Sequence, residues 1–118
     1  MKYLKNILLT AALFMNASFA ANGGDNDNCH VTLGKTYSSQ NNLPSAIVEF
    51  TAALDIPELI GSDRAICHAN LAHAYYNLGD FVKAINHYTA ALAIPELVGT
   101  ARADCRVLLG YAYLEGEE

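Results

Sequence analysis

Cysteine and histidine are the residues of this chain best suited to chemistry, and they recur at a fixed interval. Cys29-His30 and Cys67-His68 are adjacent pairs, and the interval from Cys67 to Cys105 equals that from Cys29 to Cys67. Thiolates and imidazoles are ligands for zinc or copper. However, adjacent residues of a helix point about 100° apart, so neither pair can readily share one ion. We therefore expect no metal site and no cofactor.

The three cysteines also raise the question of disulfide bonds. Cys29, Cys67 and Cys105 are equivalent residues of successive sequence repeats. Stacked repeats hold equivalent Cα atoms roughly 10 Å apart, beyond the limit of about 7 Å for a disulfide. We expect them to be buried small apolar side chains without a bridge inside the chain. Because three is odd, a bridge to another chain stays open.

Catalytic motifs are not found in this sequence. A nucleophile beside a base, or a pair of convergent carboxylates, would indicate an enzyme, and neither occurs at a recognisable spacing. His73 is the residue for which a general base role can be considered, yet a lone histidine is more often a polar contact. We expect no catalytic residues and no enzymatic activity.

The first twenty residues have the form of a secretory signal peptide. Lys2 and Lys5 give a positive start, residues 7–14 an apolar stretch, and residues 18–20 a small-x-small cleavage site. We expect cleavage after Ala20 and a periplasmic or secreted protein. The apolar stretch is about half of the roughly 20 residues that a membrane span needs, so no stable membrane insertion is expected after cleavage.

The charge of the remaining chain makes nucleic acid an unexpected partner. Loss of Lys2 and Lys5 with the signal peptide takes the formal net charge from −5 to −7. The remaining basic residues are scattered, so no basic stripe is available to neutralise phosphates. Residues 21–27 contain no large apolar side chain, and we expect them to form a flexible leader.

The rest of the chain is a sequence repeat with a period of about 38 residues, within the range of known repeat architectures. Residues 43–62 and 81–100 are identical at eleven of twenty positions. A second block begins at Cys29, Cys67 and Cys105, and each time Leu follows after four residues and Tyr after four more. Spacings of four place these side chains on one face of a helix.

The periodicity predicts five helices and no strand. Gly79-Asp80 can end one helix in the left-handed conformation and cap the next, and Asn41-Asn42 occupies the same place in the first unit. Pro57 and Pro95 lack the backbone donor that would continue a helix. The predicted helices span 28–39, 43–55, 63–78, 81–93 and 101–115.

Two further expectations concern the connections after the prolines. Ser62 and Thr100 are candidate N-caps of the helices that follow. Each connection contains two large apolar residues, which we expect to pack as an extra turn. These residues are Leu59 and Ile60 in the first unit, and Leu97 and Val98 in the second.

Read from Ala65, the second unit has Leu71, Ala72 and Tyr75 in its first helix and a Gly79-Asp80 turn before its second. In this pattern it resembles a tetratricopeptide repeat. The unit that begins at Asp27 matches at fewer positions and departs at Asn41 and Pro44, while the unit from Ala103 has only its first helix. The usual repeat has about 34 residues, so this one is four residues longer. The residues that carry the resemblance are Leu71, Ala72, Tyr75, Gly79, Asp80, Phe81, Ala84, Ile85, Tyr88, Ala91, Leu92 and Pro95.

The resemblance implies an all-α fold of antiparallel helix-turn-helix repeats. Such repeats stack as a short right-handed superhelix, an α-solenoid. The expected division is a signal peptide at 1–20, a leader at 21–27, repeats at 28–64 and 65–98, and a half repeat or capping helix at 99–118.

The resemblance also implies a function and a binding surface. In this family the first helices line a concave groove that binds a protein or peptide, so we expect an adaptor or scaffold. The aromatic members of this surface could instead only pack against neighbouring helices. The groove positions transferred to this chain are Val31, Lys35, Ile66, Ala69, His73, Tyr76, Asn77, Val107, Tyr111 and Leu114.

The last helix leaves a second possibility open. Val107, Leu108, Tyr111 and Leu114 make it more apolar than a terminal cap should be. Stacked repeats usually need three units for a continuous core. This helix either pairs with another chain, giving a homo-oligomer, or the sequence is a fragment of a longer array. The alternative function is a self-associating structural module without a separate ligand, and a metal-binding protein or enzyme is the remote one.

Overall fold

The computed structural model of the chain describes residues 29–116. Within this range it contains five helices and no strand, as predicted. The signal peptide and leader expected at 1–27 lie outside the described residues. The helices are α1 (Cys29–Ser39), α2 (Leu43–Leu54), α3 (Gly61–Leu78), α4 (Phe81–Leu92) and α5 (Gly99–Gly116).

The helices stack in chain order, each packed mainly against its neighbours in the sequence. The first helices α1, α3 and α5 touch one another more lightly. Phe50 of α2 and Tyr88 of α4 occupy equivalent positions, are fully buried, and belong to two separate apolar clusters. Each cluster therefore forms where a second helix lies between two first helices, which is the architecture of an all-α helical repeat.

The turn inside each repeat has the same backbone geometry in both units. Gly79 has φ 88° and Asn41 has φ 60°, so both are left-handed. The N–H of Asp80 donates to the carbonyl of Tyr75 at 2.9 Å, and the N–H of Asn42 donates to that of Tyr37 at 2.8 Å. Asparagine therefore replaces glycine here without changing the helix-ending hydrogen bonds.

The two turns differ in how they cap the helix that follows. The carboxylate of Asp80 accepts a hydrogen bond from the backbone N–H of Lys83 at 3.2 Å. Asn42, at the equivalent position, makes no side-chain capping bond. Asp80→Ala is therefore expected to lower the free energy of unfolding by about 1 kcal/mol. Chemical denaturation of both variants checks this, with Asn42→Ala as the matched control.

The expected outcome for Asn42→Ala is a loss of no more than a few tenths of a kcal/mol, because no capping bond is removed. Equal losses in the two variants would show that the Asp80 carboxylate contributes nothing as a cap.

The extra four residues of each unit pack only in part. Leu59 and Leu97 are buried, whereas Ile60 and Val98 are exposed. The expected extra turn is thus confirmed for the two leucines and wrong for the other two residues. Alternate residues of this non-helical segment face opposite sides, so only one of each pair reaches the core.

Arginine side chains hold these connections in place. The Nη1 of Arg64 donates to the carbonyls of Leu54 and Leu59 at 3.3 and 3.4 Å. Arg102 donates in the same way to the carbonyl of Leu97 at 3.1 Å. These carbonyls follow the end of a helix and lack a partner within it, so the arginine satisfies acceptors that the longer connection creates.

The expected capping by Ser62 and Thr100 is wrong, because both residues lie inside the helices. Gly61 and Gly99 adopt left-handed backbone with φ 61° and 67°, and the helices begin at these residues. For α3 the capping position is Ile60, which is extended and makes no side-chain capping bond. Both helices therefore begin two residues before the predicted starts at 63 and 101.

Candidate functional site

The structure divides the ten predicted groove residues between interior and surface. Val31, Lys35, Asn77 and Tyr111 are half-buried. Val107 and Leu114, both on α5, are exposed. The four central positions are buried, and these are Ile66, Ala69, His73 and Tyr76 of α3.

The helices α4 and α5 together account for this burial, and α4 makes the larger contact with α3. Ile66, Ala69 and Tyr76 share an apolar cluster with Cys105 and Leu108 of α5. The family positions were assigned to an open concave face, but here they pack mainly against α4, with a lighter contact from α5. The groove remains a prediction, and in this structure its solvent-exposed part consists of the half-buried and exposed residues at its edges.

The α1 edge of this surface carries a cation. Burial lowers the pKa of Lys35, and the nearby carboxylate of Asp63 acts in the opposite direction. The half-buried side chain stays positively charged at neutral pH, because its ordinary pKa lies far above 7. A partner at this edge would meet one positive charge between α1 and α3.

His73, considered above as a general base, is an interior residue. Its ring is fully buried and makes an edge-on contact with Tyr88, with ring centroids 5.5 Å apart. Burial lowers the pKa of His73 to about 3, so the imidazole is neutral at pH 7. Neither ring nitrogen has a hydrogen-bond partner among residues 29–116. A buried ring of this kind has no open access for a substrate.

Other polar groups lie in the same interior. The hydroxyls of Tyr76 and Tyr88 and one carboxylate oxygen of Glu115 are buried without a partner among the described residues. Burial raises the pKa of Tyr76 to about 12, with a further contribution from Glu115 and then Tyr111. Burial also raises the pKa of Tyr88. Both phenols are therefore protonated at neutral pH, and neither is a nucleophile.

A second feature is a polar contact between the two helices of each repeat. In the first unit Nδ1 of His30 donates to a carboxylate oxygen of Glu49 at 2.7 Å. In the second unit Nδ1 of His68 lies 3.0 Å from Nδ1 of His87. His68 and His87 hold the repeat positions that His30 and Glu49 hold in the first unit, so the two contacts occupy the same place in successive repeats.

The His68–His87 pair is neutral at pH 7. Burial lowers the pKa of His68 to about 4, with smaller contributions from His87 and Arg64. Burial also lowers the pKa of His87, and the ammonium of Lys83 acts in the same direction. One nitrogen of the pair therefore donates a hydrogen bond and the other accepts it. The ring of Tyr75 stacks on His87 with centroids 5.7 Å apart.

The facing nitrogens of this pair lie at hydrogen-bonding distance. The ring centroids are 5.3 Å apart while the facing nitrogens are 3.0 Å apart, so the rings meet end to end. A tetrahedral metal with bonds of about 2.0–2.1 Å holds two nitrogens about 3.3 Å apart, so this pair could supply two ligands, fewer than the three or four protein ligands of a zinc site. Residues 29–116 contain no group of three or more potential metal ligands.

Sequence inspection missed the role of His87. The sequence held a signal for this contact, because His30 and Glu49 are 19 residues apart and so are His68 and His87. Adjacent Cys-His pairs drew attention to contacts within one helix, whereas this contact joins two helices across the turn.

A substitution can test the equivalence of the two contacts. His87→Glu gives the second unit the pairing of the first, and we expect the pKa of His68 to rise by about 1–3 units from its value of about 4, because a carboxylate favours the imidazolium. NMR titration of the His68 ring measures it. In the His87→Gln control the neutral amide should produce a smaller rise. The same pKa in both variants would contradict direct contact between the two side chains.

The cysteines are all free thiols. Cys67 and Cys105 are buried as expected, and the thiol of Cys67 donates to the carbonyl of Phe50 in the preceding helix at 3.3 Å. Burial raises the pKa of each to about 12, so these thiols are unreactive at neutral pH. The expectation of burial is wrong for Cys29, which is exposed because the described chain has no helix before α1.

The most exposed apolar surface lies on α5. Val107, Tyr113 and Leu114 are exposed large apolar side chains, and within residues 29–116 no other helix carries more than one. The spacing of three and four residues places them on one side of the helix with two further exposed residues. We call this surface the α5 face, and it consists of Arg106, Val107, Gly110, Tyr113 and Leu114.

Residues at the corresponding places of α3 are covered. Val107 and Leu114 are 55% and 51% exposed, whereas their counterparts Ala69 and Tyr76 are 0% and 2% exposed. The helices α4 and α5 cover α3, but within residues 29–116 nothing follows α5 to cover it.

The glycines Gly34 of α1 and Gly110 of α5 show the same difference between a covered and an uncovered helix. A Cβ at Gly34 would lie 2.6 Å from the ring of Phe50 in α2, whereas a Cβ at Gly110 would have nothing within 4 Å. In the first unit the glycine therefore accepts an aromatic ring from the second helix. In α5 the same position is open.

The stacked pairs of antiparallel helices described above define a helical repeat protein. Residues 65–94 match the family model described as Tetratricopeptide repeat. Residues 65–94 thus form a tetratricopeptide repeat, as the signature residues of this segment indicated, and repeats of this family are typical of protein–protein interaction modules. Neither the comparison with curated proteins nor the comparison with solved structures gave a significant match. In the range 29–116 no helix is long and apolar enough to cross a membrane.

Proposed function

We propose that this chain is an exported adaptor that holds a protein partner on the α5 face and the adjoining groove edge. The observation that carries the proposal is the exposure of Val107 and Leu114, whose counterparts in α3 are buried. A continuous apolar surface of this kind is typical of an interaction site, whereas single exposed apolar residues are not.

The repeat geometry indicates what kind of segment fits there. In each complete unit a second helix covers the equivalent surface and places an aromatic ring at its centre, Phe50 in α2 and Tyr88 in α4. The α5 face therefore suits an amphipathic helix with a central aromatic residue. The half-buried Tyr111, also on α5, extends the surface toward the predicted groove, of which Lys35 and Asn77 are further half-buried members.

Capture of partners from an envelope extract tests this proposal. Residues 21–118 would be immobilised, and bound proteins identified after crosslinking. Val107→Glu with Leu114→Glu should abolish the capture, because two buried carboxylates would have to be desolvated. Val82→Glu is the matched control, since Val82 is 71% exposed on α4 and lies outside the face. A partner that binds the double variant as well as the native chain would show that the α5 face is not the site.

Export is the second part of the proposal, with a periplasmic or secreted location. It is supported by the basic start, the apolar stretch and the cleavage pattern at 18–20. Mass spectrometry of the exported protein should find an N-terminus at Ala21. Ala20→Arg should leave the precursor uncleaved, because the site requires a small residue. A precursor that stays in the cell at full length in the native sequence would contradict export.

We also propose that the chain has no catalytic or metal-dependent role, with nucleic acid outside its partners. The burial of His73 supports this view, as does the finding that within residues 29–116 no third metal-ligating residue joins His68 and His87. The alternative, a self-associating structural module, would use the same α5 face.

A further inference from the structure

We propose that the carboxylate of Glu115 binds a primary ammonium group, such as that of a lysine side chain, at the edge of the predicted groove between α3 and α5. This inference rests on the proposed function, because it names the chemistry by which a partner is recognised beside the α5 face.

The carboxylate of Glu115 is buried without a compensating donor. Glu115 lies in the last turn of α5 and is 8% exposed. Its Oε2 is buried and has no hydrogen-bond partner among residues 29–116. Burial of a carboxylate is costly unless a cation or another donor pairs with it. The C-terminal end of a helix also carries a partial negative charge, so this position favours a cation.

A phenol oxygen lies beside this carboxylate. The hydroxyl of Tyr76 in α3 is also buried without a partner in the described part of the chain. Burial raises the pKa of Tyr76 to about 12, and the carboxylate of Glu115 contributes to this rise, so the two groups are neighbours. An ammonium group has three donors and no acceptor. One such group can therefore donate to the carboxylate and to the phenol oxygen at the same time.

Aromatic rings surround the same place. The ring of Tyr76 meets that of Phe81 edge-on, with centroids 5.2 Å apart. Phe81 in turn lies at the end of α5, because a Cβ at Gly116 would be 3.4 Å from the Cβ of Phe81. Tyr111 precedes Glu115 by four residues and therefore lies on the same side of α5. Aromatic rings attract a cation, so these surroundings suit an organic ammonium group.

The arrangement of acceptors favours ammonium over guanidinium. A guanidinium group donates in one plane to both oxygens of a carboxylate, whereas an ammonium group is a compact charge with rotatable donors. The acceptors without a partner here are one carboxylate oxygen of α5 and one phenol oxygen of α3. Two acceptors on different helices match the ammonium group better.

The position of Glu115 also favours access from solvent. Tyr88, deeper in the same interior, is fully buried, whereas Glu115 keeps a small exposed fraction. The last turn of a helix frays more readily than its middle, so a small movement can admit the ligand. The net charge of −7 expected for residues 21–118 attracts a cationic group from a distance.

NMR titration of residues 21–118 with n-butylammonium chloride tests the site directly. At pH 7 and matched ionic strength, the ring signals of Tyr76 and Tyr111 should shift with a dissociation constant on the order of 10 mM. The neutral analogue 1-butanol should produce no saturable shift over the same concentrations. Equal shifts from the two compounds would overturn recognition of the charge.

Substitutions assign the binding to Glu115. Glu115→Gln should raise the dissociation constant at least about tenfold, because the neutral amide attracts the cation less. Glu96→Gln is the matched control, since Glu96 is exposed in the connection before α5, and it should change the constant by less than about twofold. Circular dichroism checks that both variants keep their helices. An unchanged affinity in Glu115→Gln would overturn the inference.

A further arm distinguishes a lysine of a partner from a free amine. The envelope extract is acetylated on its lysines before the capture experiment. If the ammonium group belongs to a partner, acetylation and Glu115→Gln should each reduce the capture. Capture that neither change affects would overturn a partner's lysine as the source, and bound butylammonium would then identify a free amine as the ligand.

The two proposals can fail separately. The titration uses no protein partner, so its result stands whether or not the α5 face captures one. Absence of butylammonium binding overturns the ammonium site, even if capture through Val107 and Leu114 succeeds.

Discussion

Gly34→Leu is expected to lower the free energy of unfolding by about 2–3 kcal/mol, because α1 and α2 approach too closely there for any side chain. A Cβ at this position would lie 2.6 Å from Cε1 of Phe50 and 2.8 Å from Cζ. Phe50 is fully buried and packs in a cluster with Cys67 and Leu71 of α3. Its ring can move only if α3 also moves, so the strain cannot be relieved locally.

The chain contains a matched control for this substitution. Gly110 is at the same repeat position, yet nothing lies within 4 Å of its Cβ position. Gly110→Leu, measured in dilute protein, should be neutral or stabilising by up to about 1 kcal/mol, because leucine is the better helix former. Urea denaturation of both variants gives the comparison. Equal effects at the two glycines would contradict close packing as the cause.

A second substitution identifies the ring as the obstacle. Phe50→Ala alone should lower the free energy of unfolding by about 3–5 kcal/mol, because it leaves a cavity. In combination with Gly34→Leu, the new leucine can occupy part of that cavity, so the double variant should lose less than the sum of the two single losses. Strict additivity would mean that the two side chains do not compete for the same space.

The sequence was sufficient for features that depend on local chemistry. The left-handed turns at Asn41 and Gly79 and the helix ends before Pro57 and Pro95 each follow from a few adjacent residues. The periodicity of four is also local and located all five helices to within about two residues. Such features could be predicted because they do not require knowledge of how one repeat lies on the next.

The interaction surface depended on contacts between repeats, which the sequence does not specify directly. Ile66, Ala69 and Tyr76 were assigned to an open groove from their positions in the family signature. Their burial results from packing in one cluster with Tyr88 of α4 and with Cys105 and Leu108 of α5. The His68–His87 contact was missed for the same reason, since its two residues meet only when α3 and α4 fold back on each other.

Burial and exposure distinguish the inner helix α3 from the last helix α5. The covered side of α3 supplies apolar area to the core, whereas the same side of α5 remains available because no further helix in the described chain lies on it. The residue types differ accordingly, with Ala69 and Ala72 in α3 replaced by Val107 and Gly110 in α5. The last helix thus leaves exposed the positions that the inner helix buries in the core.

Acid is expected to destabilise the protein through His73, and this effect should be larger than that of any single surface charge. Burial lowers the pKa of His73 to about 3 in the folded chain, against 6.5 for an ordinary histidine. The unfolded chain therefore takes up this proton first as the pH falls. The contribution of His73 to stability is complete above about pH 6.5, declines as the pH falls towards 3, and is then constant. The full loss is on the order of 3–5 kcal/mol.

His73→Phe removes the titrating group and keeps an aromatic ring against Tyr88, whose ring lies 5.5 Å from that of His73. At pH 7 the variant should be as stable as the native chain or more so, because an unpartnered buried imidazole is lost. At pH 4 it should exceed the native chain by about 3 kcal/mol. Urea denaturation at pH 7, 5.5 and 4 measures the difference in free energy of unfolding between the two chains. Both chains have the same carboxylates, so the effect of their titration cancels in this difference. Parallel pH profiles would mean that His73 is open to solvent, and the central part of the predicted groove would then be accessible to a partner.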